Sequence, residues 1–118
     1  MKVISSGQTL GATVEGLDLA KPLSQENFDA VLRTLGERGV VCFPRQQLTS
    51  RQLAGFSGRF GKLEINVANA YQEPGIPEVM TLSNIVENGK PIGLADAGQD
   101  WHTDMSYSST FANAIMLL

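Results

Sequence analysis

The stretch Trp101-His102-Thr103-Asp104 holds the chain's one histidine, two residues ahead of an aspartate. In an extended segment, side chains i and i+2 point to the same face. His102 and Asp104 can then offer an imidazole nitrogen and a carboxylate oxygen to one point. Those are two of the three ligands of the 2-His-1-carboxylate facial triad that holds non-haem Fe(II). A lone histidine near an aspartate is more often structural, so the weight of this pair comes from the rest of the chain. His102 must be neutral to ligate, and metal affinity should therefore fall in acid. Its other ring nitrogen needs an orienting partner that the sequence does not name.

The elements that must position the pair can be read in order. Lys2 to Ile4 and Ala12 to Leu19 look like short strands broken by Gly7, Gly11 and Gly16. Ser24 is a good N-cap. Phe28, Val31, Leu32 and Leu35 then follow the spacing of an amphipathic helix, and Gly39 fits the left-handed position that ends it. Val40 to Phe43 reads as a buried strand, with Cys42 as a small buried hydrophobe. Thr49-x-x-Gln52 is a capping box, with Leu48 and Leu53 at the positions of a hydrophobic staple. The helix it opens should run through Phe56 and Phe60, both core residues, and close at Gly61.

Pro74-Gly75-Ile76-Pro77 reads as a turn, and Val79 to Ile85 as a strand. Asn84 to Asp100, rich in Gly, Asn and Asp, is expected to be a long loop that closes as a lid over substrate. Trp101 begins a new extended stretch and is expected in the core or in a pocket wall. Ala114 to Leu118 is apolar with no turn or cap after it. Residues 1–118 are therefore expected to form a single incomplete domain. The uncovered edge would favour association, which leaves room for a homo-oligomer.

Composition narrows the classes. The chain has 118 residues, 42% hydrophobic and 18% charged, with a net charge of −3. That is a globular balance and carries no footprint for nucleic acid or an anionic membrane. One cysteine permits no internal disulfide. The N-terminus shows no signal-peptide pattern and no apolar run suits a membrane span, so a soluble, cytoplasmic protein is expected.

Four blocks occur in a telling order: Leu10-Gly11-Ala12-Thr13-Val14-Glu15-Gly16-Leu17-Asp18-Leu19, Gly39-Val40-Val41-Cys42-Phe43-Pro44-Arg45, Leu48-Thr49 leading to Arg59-Phe60-Gly61, and Trp101-His102-Thr103-Asp104. Together they resemble the N-terminal part of the TauD/TfdA family of Fe(II)- and 2-oxoglutarate-dependent dioxygenases. The resemblance implies a mixed α/β fold, with a double-stranded β-helix (jelly-roll-like) core and flanking helices. It implies oxidative decarboxylation of 2-oxoglutarate with O2 to succinate and CO2, coupled to hydroxylation of a small organic substrate.

By the same resemblance, His102 and Asp104 are metal ligands, and the second ligand histidine lies far downstream. It is not in this chain, since His102 is the sole histidine. A co-substrate-binding threonine and arginine are likewise expected past Leu118. The family's taurine-recognising histidine, tyrosine and asparagine are replaced at Asn66, Asn69 and Gly98, so taurine is not the expected substrate. Asn66, Asn69, Gln99, Ser106 and Tyr107 are placed near the substrate pocket, although Asn66 and Asn69 also suit plain turn chemistry. The alternative reading is a catalytically incompetent N-terminal fragment, or a non-catalytic relative, of such an enzyme.

Overall fold

The computed structural model of the chain describes residues 1–66 and 69–118, Asn69 for its backbone alone. The fold is mixed α/β and divides into two compact units, Met1–Phe56 with Leu118, and Ser57–Leu117. Among the described residues its sheets have three, two and two strands. Wide β-helix sheets are not among the described residues.

The first unit is built on a small sheet. Strand β1 (Lys2–Ser5) runs antiparallel to β2 (Ala12–Glu15), which pairs in parallel with β3 (Val41–Cys42). A parallel pair needs a crossover, and helix α1 (Gln25–Arg38) supplies it. The alternation of β2 sends Ala12 and Val14 into the core, each 1% exposed. Leu19, Phe28, Val31 and Phe56 complete that core. Burying a side chain such as Val14 or Val31 contributes about 1.5–3 kcal/mol.

Helix α1 has the ends its sequence predicts. The Ser24 hydroxyl accepts the Asn27 amide at 3.2 Å, and Gly39 sits at φ 68°, its N–H donating to the Leu35 carbonyl at 2.7 Å. Its buried stripe departs from the expected one. Leu32 is exposed, and Thr34 is buried beside Val31 instead. The threonine is tolerated there because its hydroxyl donates to the Ala30 carbonyl at 2.7 Å. Cys42 is also exposed, contrary to expectation. Strand β3 stands at one end of the strand order and is two residues long, so it is not enclosed.

Helix α2 (Ser50–Ser57) opens with the predicted capping box. The Gln52 amide N–H donates to the Thr49 hydroxyl at 3.3 Å, and the Gln52 side-chain oxygen accepts the Thr49 N–H at 2.8 Å. Leu48 and Leu53 are half-buried. Phe56 meets Phe43 edge-to-face, centroids 5.7 Å apart. The α-helix stops at Ser57, and Gly58–Phe60 continue as a 3-10 turn with Phe60 half-buried. Two glutamines tie the loop after β2 in place. The Gln46 side chain accepts the Leu19 N–H at 2.9 Å and donates to the Leu17 carbonyl at 3.0 Å, while Gln52 donates to the Ala20 carbonyl at 3.4 Å. In the same loop the Lys21 ammonium, 3.0 Å away, and the Ala20 amide hold the Asp18 carboxyl below its usual range.

The second unit contains two hairpins. Strands β4 (Gln72–Glu73) and β5 (Ile76–Met80) turn at Pro74-Gly75, with Gly75 at φ 77°. The strand expected over Val79 to Ile85 thus starts at Ile76 and ends at Met80. Strands β6 (Val86–Glu87) and β7 (Lys90–Pro91) flank Asn88-Gly89 at φ 51° and 75°. Two successive residues at positive φ make a type I′ turn, so Val86 to Pro91 of the expected Asn84 to Asp100 loop form a hairpin. Ile92 and Leu94 then return along the chain. The Leu94 N–H donates to the Thr81 carbonyl at 3.0 Å and the Ser83 N–H donates to the Leu94 carbonyl at 3.2 Å. Gly93, between them, is buried, and a Cβ there would lie 2.7 Å from the Ser83 nitrogen. Ala114 to Leu118 carries no regular strand, and Ile115, Leu117 and Leu118 are exposed.

Two stability predictions follow from these contacts. Thr49→Ala removes the cap hydroxyl and should lower stability in urea unfolding by about 1 kcal/mol. Gly93→Ala forces the backbone apart and should cost about 1–3 kcal/mol, seen as faster amide exchange at Ser83 and Leu94.

Candidate metal centre

Residues 95–98 form a turn after the Leu94 bridge, and residues 99–104 run on without a sheet partner among the described residues. The Gln99 side-chain amide donates to the Asp96 carboxylate at 2.7 Å, closing the turn on itself. Gly98 ends it at φ 76°, a backbone conformation that glycine adopts freely. The extended strand expected from Trp101 onward is therefore a bent loop. Trp101, expected in the core or a pocket wall, is fully exposed at 105%.

Within that loop His102 and Asp104 do converge. The His102 Nε2 lies 3.5 Å from an Asp104 carboxylate oxygen, with the two side chains 50% and 56% exposed. The other ring nitrogen, Nδ1, is 2.6 Å from the Asp100 backbone carbonyl. A carbonyl only accepts, so Nδ1 must carry the proton in this contact. In the neutral ring Nε2 then keeps its lone pair. At 3.5 Å the carboxylate can meet Nε2 either through a proton on that nitrogen or through a metal cation bound by both. A first-row ion bound at about 2.1 Å to two donors at right angles sets those donors about 3.0 Å apart. The observed gap of 3.5 Å is close enough for small side-chain rotations to reach that value. The pair thus suits two adjacent corners of an octahedral ion. Among the described residues, no group of three His, Cys, Asp or Glu gathers at one point.

Of the remaining candidates, Gln99 and Tyr107 have local side-chain partners. Asn66 is exposed in an irregular segment, and Asn69 opens a 3-10 turn, its side chain outside the described residues. Gln99 belongs to the 95–98 turn as above. Ser106 and Tyr107 are exposed in a turn closed by the Ser108 N–H donating to the Met105 carbonyl at 3.0 Å. The Tyr107 hydroxyl lies 3.3 Å from the Met105 sulfur, and Met105 itself sits at φ 59°. Gly98, Gln99, Asp100, Ser106 and Tyr107 thus bracket the His102–Asp104 pair along one continuous segment. Sequence reasoning missed the Asp100 carbonyl, since a backbone oxygen has no residue-type signal.

The chain is similar to known proteins. The profile described as "Taurine catabolism dioxygenase TauD, TfdA family" matches residues 2–118. The alpha-ketoglutarate-dependent 2,4-dichlorophenoxyacetate dioxygenase of Cupriavidus pinatubonensis is 30% identical over 117 residues, covering 90% of this chain and 40% of that protein. The crystal structure of a taurine dioxygenase from Burkholderia xenovorans is similar with a TM-score of 0.63 at 30% identity, over 73% of this chain and 31% of that one. The crystal structure of AAD-2 in complex with Mn(II) and N-oxalylglycine is similar with a TM-score of 0.52 at 28% identity, over 53% of this chain and 23% of that one. The chain spans 34–40% of the length of the curated relatives it matches. With a profile match along nearly its whole length, the chain belongs to the TauD, TfdA family of dioxygenases.

Proposed function

We propose that the chain supplies the first two metal ligands of an Fe(II)- and 2-oxoglutarate-dependent dioxygenase. The complete enzyme would hydroxylate a small organic substrate with O2, releasing succinate and CO2, on a double-stranded β-helix core. The observation that carries this reading is the convergence of the His102 Nε2 on the Asp104 carboxylate while Nδ1 is tied to the Asp100 carbonyl. Bound there with 2-oxoglutarate, Fe(II) would supply the oxidising chemistry that no side chain can perform.

The chain's own residues have simpler tasks. His102 gives a neutral nitrogen donor held in one tautomer. Asp104 gives an anionic oxygen that offsets part of the ion's charge. Gln99, Ser106 and Tyr107, on either side of the pair in the sequence, and Asn66 and Asn69 earlier in the chain, are the proposed substrate contacts. The similarity to proteins named for 2,4-dichlorophenoxyacetate and for taurine supports a small organic substrate without selecting one.

A second reading is favoured by one observation: no third His, Cys, Asp or Glu joins the pair among the described residues. On that reading the 118-residue chain holds part of the site and does not turn over by itself. Two protein donors hold an ion weakly.

Mn(II) binding, followed by the loss of the free-ion EPR signal, tests the ligand assignment. The chain should take up one ion weakly, and 2-oxoglutarate should tighten it by occupying open coordination positions. His102→Ala and Asp104→Ala should each weaken uptake by about tenfold or more. Uptake unchanged in His102→Ala would remove the assignment. Succinate release with Fe(II), ascorbate and O2 tests competence. It should stay at the level of the metal-free control, and many turnovers per chain would mean that a third ligand arrives from elsewhere, such as a second copy.

A further inference from the structure

The loop after β2 and the loop before α2 enclose a cleft of about 350 Å3, lined by Leu17, Asp18, Ala20, Arg45, Gln46 and Gln47. Hydrogen bonds fix its frame. The Gln46 side chain accepts the Leu19 N–H and donates to the Leu17 carbonyl and, at 3.2 Å, to the Pro44 carbonyl, so it ties the two loops together. Asp18 is committed as well. One of its carboxylate oxygens accepts the Ala20 N–H at 3.0 Å, and the other meets the Lys21 ammonium at 3.0 Å. Arg45 and Gln47 differ, since neither side chain has a hydrogen-bond or ion-pair partner among the described residues. Arg45 also sits at φ 58°, a left-handed backbone that a long side chain rarely takes. That conformation costs free energy and gains the Arg45 side chain no partner within the described chain. Strain of this kind clusters where ligands are clamped.

We propose that this cleft binds a small organic carboxylate, with the Arg45 guanidinium as its anchor. A guanidinium offers two parallel N–H donors that match the two oxygens of a carboxylate. The Gln47 amide adds a further donor, and Leu17 and Ala20 give the ligand's carbon body an apolar wall. Small-molecule sites span about 300–1,000 Å3, so the cleft suits a small metabolite and not a polymer. Asp18 sets the preferred charge. Lys21 and the Ala20 amide keep its carboxylate ionised, and it shares the cleft wall with Arg45. A monoanion therefore meets less repulsion there than a phosphate dianion does. The site lies within the first unit and uses none of the residues assigned to the metal. It stands whether or not His102 is a ligand.

Titration of the 15N-labelled chain with sodium butyrate, at ionic strength held constant with sodium chloride, tests this. Amide and arginine Nε–H signals report where butyrate sits. Saturable shifts should be confined to residues 17–21 and 45–47 and should include the Arg45 Nε–H. Arg45→Gln keeps a polar side chain without the charge and should weaken binding by about tenfold or more. Arg45→Lys keeps the charge without the fork and should also bind more weakly. Arg45→Gly removes the strain and the anchor together, so the butyrate shifts should vanish while the thermal midpoint is kept. Inorganic phosphate should bind more weakly than butyrate. Shifts that do not saturate, or that persist in Arg45→Gly or at full affinity in Arg45→Gln, overturn the proposal. Phosphate binding as tight as that of butyrate overturns the choice of a carboxylate.

Discussion

The 2.6 Å contact between the His102 Nδ1 and the Asp100 carbonyl is the constraint on which the site depends. It links His102 to the backbone two residues earlier, within a stretch that does not run as a strand. It also decides which nitrogen carries the proton. With Nδ1 as donor, Nε2 is the nitrogen left for a cation, and an Asp104 carboxylate oxygen lies 3.5 Å from it. An extended strand could have placed both side chains on one face as well. The bent loop achieves the same convergence with an added hydrogen bond that fixes the ring's orientation.

The loop that carries the site is braced from before it. The Leu94 bridge to Thr81 and Ser83 anchors its start, and the buried Gly93 lets those backbones approach. The Asp96–Gln99 bond closes the next turn, and Gly98 hands the chain to Asp100 in a conformation a side chain would resist. From Thr81 to Asp104 the order is therefore one of short-range backbone bonds rather than of a large apolar core. The first unit works by the opposite principle. Its strength lies in burial, with Ala12, Val14, Leu19, Phe28, Val31 and Phe56 enclosed beneath capped helices.

What the sequence revealed divides along physical lines. Ser24, Gly39 and the Thr49–Gln52 box were legible because capping is local chemistry, complete within four residues. The pairing of His102 with Asp104 was legible because an i, i+2 spacing brings two side chains together in a bend as well as in a strand. Leu32 was misread as buried, in the place Thr34 takes, because hydrophobic spacing ignores a hydroxyl that satisfies itself on the preceding turn. Cys42 and Trp101 were misread because burial depends on what lies across from a residue, and an apolar run does not say whether its strand is enclosed. Asn88-Gly89 was a readable signal for a hairpin that the surrounding glycine-rich composition obscured. The Asp100 carbonyl was not readable at all, because every residue has one.

The central claim is that His102 and Asp104 hold one metal ion, with the histidine bound through Nε2. Proton NMR of the Co(II)-loaded chain tests it most directly, because the paramagnetic ion shifts the protons of a coordinated imidazole far outside the normal range. With a single histidine in the chain, the account predicts one strongly downfield-shifted, solvent-exchangeable N–H resonance, that of Nδ1–H, lost in His102→Ala and displaced or lost in Asp104→Ala. Co(II) uptake without a shifted imidazole N–H, or a shifted signal indifferent to Asp104→Ala, would contradict it.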